Sequence, residues 1–283
     1  MAEPASLAPF ETRVRWARKY AEELKEACDG FMKDNEAGSA MKVERDSDVG
    51  RLLVTVHLPD GFPEDLGRIV GGGLHQLRSA LDNLAYQLVL TNGGTPTKST
   101  AFPILLQPPD GGFAANTKKR LEGMSGTARA AIEGLQPYNA WPEHPDNSTI
   151  WLIHELNNID KHRISHLACL WISTFQGRLL LDGSDPEDIG VWVAQEPWRG
   201  IAEHGAMLLD VRWDPALLAK RPSQKMMMNV DSSSDVALRN PERGGFLDFD
   251  MKTIDAMPIQ YFFHMAIDYC ETVVTPAFAG EFQ

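Results

Sequence analysis

The sequence predicts an α+β protein in which an antiparallel β-sheet packs against a helical bundle. Apolar residues recur at helical spacing through most of the first 166 residues. They then alternate in short runs between turn residues, a pattern that is typical of strands. Helical spacing returns after Pro258. We expect one compact domain over residues 1–283, with helical cores at about 10–166 and 250–280 and a β-rich insertion at about 167–240.

The N-terminal third is expected to contain a helix, a hairpin and a second helix. Helical spacing of apolar residues predicts the first helix from about Glu11 to Lys33. Two alternating runs, Met41–Arg45 and Leu52–Leu58, flank a turn-rich segment and predict a hairpin. Pro63 suits the start of the second helix, which we expect to end near Asn92-Gly-Gly.

Shorter elements are expected in the middle of the chain. Prolines and glycines predict an irregular segment over 101–112 and a loop over 136–145. Helical spacing predicts two short helical pieces, at 118–123 and 126–135.

A third long helix, over 151–166, is predicted after the capping residues Asn147-Ser-Thr149. A last helix is expected from Pro258 to about Val274, with Pro276 as its stop. Between these two helices, five short runs predict the strands of one antiparallel sheet: 167–175, 178–181, 191–194, 206–213 and 225–230.

Composition and missing motifs limit the functional classes. The formal net charge of −12 argues against a generic nucleic-acid coat, although a local basic cleft remains compatible with it. Three widely spaced cysteines predict reduced thiols. The chain has neither a signal-peptide pattern nor an apolar run of about 20 residues, so we expect a cytoplasmic protein without a membrane partner. It also lacks P-loop, GxGxxG and GxSxG signatures, which argues against the nucleotide-binding folds and hydrolases that carry them.

The second helix places ionisable residues beside its apolar stripe. His75, Arg78 and Asp82 follow one flank at i, i+3 and i+7, so they are neighbours on the helix surface. Burying such groups is costly unless they are paired or bind something. Gly71 lies in the direction of Arg78 and would admit a close neighbour. Three consecutive glycines, Gly71–Gly73, weaken the helix by about 1 kcal/mol each relative to alanine and allow a break.

The third long helix repeats this arrangement. Glu155, His162 and His166 share the flank of its stripe, while Asp160 and Arg163 point towards the apolar side. A purely structural Asp160–Arg163 pair is one interpretation. The other is a joint site in which Arg78 and Asp82 face Asp160, His162 or Arg163 across a cleft between the helices. The expected contacts in that site are Arg78–Asp160 or Asp82–Arg163.

Three sequence segments carry a resemblance. Leu77-Arg-Ser-Ala-Leu-Asp-Asn-Leu-Ala-Tyr-Gln-Leu88, Phe102-Pro-Ile104 and Asp160-Lys-His-Arg163 stand in the order found in a group of bacterial proteins of unknown function. More distantly, the first segment is similar to the active helix of HEPN domains. These are helical bundles, many of them metal-independent ribonucleases with an arginine and a histidine separated by four to six residues. Arg78 matches the arginine, and Asn83 stands at the histidine position after four intervening residues.

The resemblance implies a HEPN-like enzyme, or a degenerate relative, that acts on RNA or a nucleotide without a cofactor. A homodimer is also compatible with the sequence. Arg78 would hold the phosphate, His162 or His75 would transfer protons, and Asp82 or Asp160 would orient them. Because Asn83 cannot transfer a proton in place of the histidine, this chemistry requires His75, His162 or His166 beside Arg78. The further candidates for ligand binding are Asn83, Asp160, Lys161, Arg163 and His166.

Two other functions remain open from the sequence. A metal-dependent helical-bundle enzyme would use His75, Glu155, His162 and His166 as ligands, since histidines at i and i+4 can share a metal ion. A non-catalytic binding or scaffold protein would use the same polar residues as a hydrogen-bond network that fastens its elements together.

Overall fold

The computed structural model describes residues 4–34, 41–57, 64–163, 168–181, 198–201, 204–216, 226–238, 246–247, 253–254 and 257–283. Its fold is α+β, as the sequence predicts: helices pack into a bundle and antiparallel strands accompany them. None of the helices in these ranges is both long enough and apolar enough to span a lipid bilayer.

Two long helices form the centre of the bundle. Helix α1 covers Ala8–Asp34 and helix α2 covers Glu64–Thr91, and they pack along each other. The predicted stripe of α2 is buried, including Leu74, Leu77 and Leu81, none of which has exposed surface. The periodicity therefore predicted the core-facing side of this helix correctly.

Helix α2 is continuous through Gly71–Gly73, so the break that the glycines allow does not occur. A β-carbon added to Gly72 would lie 2.6 Å from a ring carbon of Tyr20, and one added to Gly73 would overlap the ring of Phe263. The glycines thus let neighbouring helices approach closely, and this packing offsets their weak helix propensity.

The remaining helices before the β-rich part are α3 (Phe113–Thr117), α4 (Gly126–Gly134), α5 (Pro137–Ala140) and α6 (Thr149–Arg163). The prediction of a helical piece at 118–123 is wrong, because residues 118–120 form turns after α3. The loop expected over 136–145 contains α5, which begins with a proline at its first position, where the missing N–H is tolerated.

The C-terminal helical segment extends further than expected. Helix α7 (Ile259–Tyr269) passes into a π-helical turn (Cys270–Val274) and then into α8 (Thr275–Phe278). Pro276 therefore does not stop the helical chain. It lies in the first turn of α8, where proline is tolerated because few backbone N–H groups have an intrahelical acceptor. The Thr275 hydroxyl donates to the Cys270 carbonyl at 3.0 Å.

The predicted hairpin is present, and it gains a third strand. Strands β1 (Met41–Asp46) and β2 (Arg51–Val56) pair antiparallel, and β5 (Met207–Arg212) pairs with the other edge of β2. We expected the β5 residues in the later sheet instead. Leu52 faces Val211 across the strands, and both are buried. This pairing joins segments about 150 residues apart, which periodicity alone does not predict.

A second sheet has the strand order β4-β3-β6-β9, built from β3 (Ala168–Leu181), β4 (Trp198–Ile201), β6 (Met226–Leu238) and β9 (Met257–Pro258). The runs predicted at 167–175 and 178–181 form one continuous strand, β3. The strand predicted at 191–194 lies outside the described residues. A short pair, β7 (Phe246–Leu247) and β8 (Thr253–Ile254), completes the strands of the described chain.

The main hydrophobic core lies between the helices. It contains several large, fully buried side chains from α1, α2, α7 and α8 and from the segment after α2. Among them are Phe10, Leu24, Leu74, Leu77, Leu81, Phe102, Phe262, Phe263 and Phe278.

Candidate functional site

Arg78 and Asp82 hold a loop against helix α2. The Arg78 Nη2 donates to the backbone carbonyl of Phe102 at 2.9 Å. The backbone N–H of Phe102 donates to Asp82 Oδ1 at 3.0 Å. The same Asp82 oxygen lies 3.0 Å from Arg78 Nη2, an ion pair at i, i+4 within α2. Together, the two side chains satisfy both backbone polar groups of one residue.

Gln136 holds the next part of the same loop, which we call the Phe102–Leu105 loop. Its Nε2 donates to the carbonyls of Pro103 at 3.0 Å and Ile132 at 2.9 Å, and its Oε1 accepts from the Leu105 N–H at 2.9 Å. Gln136 has no exposed surface. The role of Gln136 could not be predicted from the sequence, because nothing in the neighbouring sequence indicates that this amide is buried.

Apolar contacts anchor the loop as well. Phe102 is 1% exposed and Ile104 is 6% exposed, and both belong to the main core. The polar groups of the loop backbone are consequently drawn away from water. Burying backbone N–H and carbonyl groups without partners costs free energy. The hydrogen bonds of Arg78, Asp82 and Gln136 to the loop backbone offset this cost.

The Arg78 side chain is only 14% exposed, whereas that of Asp82 is 41% exposed. Burial lowers the pKa of the Arg78 guanidinium from its ordinary value, the positive charge of Arg120 lowers this pKa further, and Asp82 opposes the shift. Arginine remains protonated in proteins, so the pair is ionic. The Arg78 Nη1 is buried and has no hydrogen-bond partner among the described residues.

The other candidates on α2 lie in different surroundings. His75 is exposed, and its Nε2 lies 3.4 Å from the Ser79 hydroxyl. Asn83 lines a cavity formed with the first turns of α1. At 100° per residue, Arg78 and Asn83 point about 140° apart around the helix. The arginine and the histidine position of the HEPN pattern therefore face different sides of α2.

Helices α2 and α6, which carry the candidate residues, pack together, and Asp160 of α6 meets α2 at Gly71. A β-carbon on Gly71 would lie 2.6 Å from Asp160 Oδ1, so the Asp160 carboxylate rests against the glycine. Gly71 precedes Arg78 by two turns, about 10 Å along the axis. The ion pair of Arg78 with Asp82 takes the place of the expected Arg78–Asp160 contact.

The remaining candidates lie on α6 and in the residues after it. The side chains of Lys161, His162 and Arg163 lie outside what the structure describes, as does the whole of His166. The expected Asp82–Arg163 contact therefore concerns a side chain outside this part of the chain. Glu155 is half-buried.

A metal site requires several ligating side chains close together. In the described ranges, no group of three or more histidine, cysteine, aspartate or glutamate side chains lies close enough to hold a metal ion. Two of the four ligands in the metal hypothesis, His162 and His166, are not among those side chains.

Comparison of the chain with models of known protein families, with curated proteins and with solved structures found no match. The resemblance to HEPN domains therefore stays a prediction from the sequence.

Proposed function

We propose that this protein is a non-catalytic binding protein, a degenerate relative of HEPN-like bundles in which the arginine motif has a structural role. One observation carries the proposal: Arg78 and Asp82 bond to the carbonyl and the N–H of Phe102. The motif thereby fastens the Phe102–Leu105 loop to α2. A hydrogen-bond network of this kind supports the non-catalytic interpretation of the sequence.

The surroundings of the motif also favour binding over catalysis. A phosphate-binding arginine needs free donors directed at its ligand, but Arg78 is mostly buried and its Nη2 is occupied. Cleavage of RNA also requires groups that transfer protons. Asn83 has no titratable group and faces the α1 side of the helix, and the exposed His75 contacts Ser79.

Parallel assays of RNA cleavage and stability test the proposal. We expect Arg78→Ala to reduce the free energy of unfolding by about 2 kcal/mol, since hydrogen bonds to charged groups contribute about 1.5–3 kcal/mol and the exposure of Asp82 weakens its share. Arg129→Ala, at an exposed arginine of α4, is the matched control and should leave stability within about 0.5 kcal/mol.

We expect the wild type to cleave single-stranded RNA no faster than the buffer does. The proposal is wrong if the wild type cleaves RNA, Arg78→Lys abolishes that cleavage, and stability is unchanged. Such a result would show that the arginine acts on a substrate and not on the loop.

A second candidate function, binding of an RNA phosphate at Arg78, is favoured by one observation. The Nη1 of Arg78 is buried without a hydrogen-bond partner among the described residues, so a phosphate that entered beside it would satisfy these donors, and Arg120 is close enough to influence the pKa of Arg78. For this function, Arg120→Gln should weaken RNA binding in a filter assay while stability stays unchanged. Equal RNA binding by the wild type and by this variant would contradict it.

A further inference from the structure

A cavity of about 540 Å³ lies between the first turns of α1 and the C-terminal third of α2. Arg13 and Trp16 line it from α1, and Asn83 and Gln87 line it from α2. Its volume falls within the roughly 300–1,000 Å³ of typical small-molecule sites. It is separate from the Arg78–Asp82 pair, which points to another side of α2.

Arg13, Gln87 and Asn83 present hydrogen-bond donors on the polar wall of this cavity. Arg13 uses Nη1 to donate to Gln76 Oε1 at 2.9 Å, which leaves its other N–H groups for a ligand. Gln87 accepts from the Ser6 N–H at 3.1 Å through its oxygen, so its NH₂ group remains. The half-buried amide of Asn83 makes no hydrogen bond within the described part of the chain.

The charge of the wall is positive in a strongly acidic protein. Arg13 is cationic, and none of the described residues that line the cavity is acidic, although the chain carries a formal net charge of −12. A guanidinium with free donors and two amide groups best complements a ligand group that is negatively charged and rich in acceptors, such as a phosphate or a carboxylate.

An aromatic wall adjoins these donors. Trp16 is 49% exposed, and the Lys19 ammonium lies 4.3 Å from the centroid of its ring. Pro4 and Pro9 add apolar surface to the same cavity. An exposed indole beside a cationic, donor-rich wall provides a surface on which a planar ring can stack.

We propose that this cavity binds a small anion that carries a planar aromatic ring, the chemistry shared by mononucleotides and aromatic carboxylates. The ring stacks on Trp16, and the anionic group accepts hydrogen bonds from Arg13, Asn83 and Gln87. This inference rests on the binding function proposed above, for which it names the class of ligand.

Isothermal titration of the full chain tests the inference with two probes, adenosine monophosphate and phenylacetate. We expect at least one to bind with a Kd of about 1 mM or lower. Binding of one probe and not the other supports the inference and identifies the source of the anion. Adenosine has the planar ring but no anionic group, and inorganic phosphate is an anion without a ring. Each should bind at least about tenfold more weakly than adenosine monophosphate.

Variants locate the binding. Arg13→Gln and Trp16→Leu should each weaken binding about tenfold or more, and Asn83→Asp should abolish it by placing a negative charge against the anion. Arg129→Gln is the matched control, because Arg129 is an exposed arginine of α4 that does not line the cavity. Thermal unfolding confirms that each variant is folded, and the three cavity variants give independent tests.

The inference is overturned if neither probe binds the folded wild type at about 10 mM. It is also overturned if Arg13→Gln and Asn83→Asp bind the probe as tightly as the wild type. Neither result affects the proposed structural role of Arg78, which the RNA cleavage and stability assays test separately. Conversely, RNA cleavage that depends on Arg78 would contradict the proposed function without altering the titration.

Discussion

Gly71 provides a sharp test of how the two motif helices meet. A β-carbon at this position would lie 2.5 Å and 2.6 Å from the two carboxylate oxygens of Asp160 and 2.7 Å from its Cγ. These distances are shorter than the roughly 3.5–4.0 Å that separates non-bonded carbon atoms in favourable contact. Gly71→Ala must therefore displace the Asp160 side chain or separate α2 from α6.

The size of the effect follows from two opposing contributions. Alanine is favoured over glycine in a helix by about 1 kcal/mol, which stabilises the variant. Overpacking a well-packed site typically costs about 1–3 kcal/mol, which destabilises it. We expect a net loss of about 1 kcal/mol in the free energy of unfolding. Urea denaturation followed by far-ultraviolet circular dichroism measures this loss.

Gly30→Ala is the matched control within α1. A β-carbon at Gly30 meets no atom within 4 Å, so only the helix propensity changes, and the variant should be more stable by about 0.5–1 kcal/mol. Adding Asp160→Ala to Gly71→Ala should relieve the overlap, so the double variant should be more stable than additivity predicts. If Gly71→Ala were as stabilising as Gly30→Ala, the contact between Gly71 and Asp160 would be wrong.

Three further outcomes are expected. Gln136→Leu should destabilise the protein by about 2–3 kcal/mol, since it leaves the Leu105 N–H and the Pro103 carbonyl buried without partners; equal urea midpoints for this variant and the wild type would argue against the loop contacts. Arg51 lowers the pKa of Asp210, so this ion pair stabilises the folded state above the ordinary pKa of 3.8, and the stabilisation is lost as the pH falls through the lower pKa of the folded state. Asp210→Asn should therefore lose more stability relative to the wild type at about pH 7 than at about pH 2.5. An equal loss at both pH values would refute the pKa shift. Burial raises the pKa of the Cys270 thiol to about 12, so iodoacetamide at about pH 8 should alkylate this cysteine only after unfolding, and rapid modification of the native protein in peptide mass spectra would contradict its burial.

The sequence predicted elements whose signal is local. The stripe of α2 and the β1–β2 hairpin follow from periods of 3.6 and 2 residues within one segment. The pairing of β5 with β2 was missed, because alternation identifies a strand but not its partner. The sequence left open whether α2 continues through Gly71–Gly73 for a related reason: the packing partners of the glycines come from other helices.

The candidate site was predictable only in part. The spacing of Arg78 and Asp82 predicts that they are neighbours on α2, and the structure pairs them. Their energetic partner, the backbone of Phe102, lies on a loop 20–24 residues further along the chain. Every residue except proline carries the same backbone N–H and carbonyl groups, so sequence does not mark which of them a buried side chain will bond.

Amide hydrogen exchange at Phe102 tests the central claim most directly, namely that Asp82 and Arg78 hold the Phe102–Leu105 loop. The Phe102 N–H bonds to Asp82 Oδ1, so it should be protected in the wild type. In Asp82→Ala, we expect its exchange to accelerate about tenfold or more, as the loss of about 1.4 kcal/mol implies. The amide of Leu84, in the buried face of α2, should change much less. Equal protection of the Phe102 amide in the wild type and in Asp82→Ala would contradict the claim.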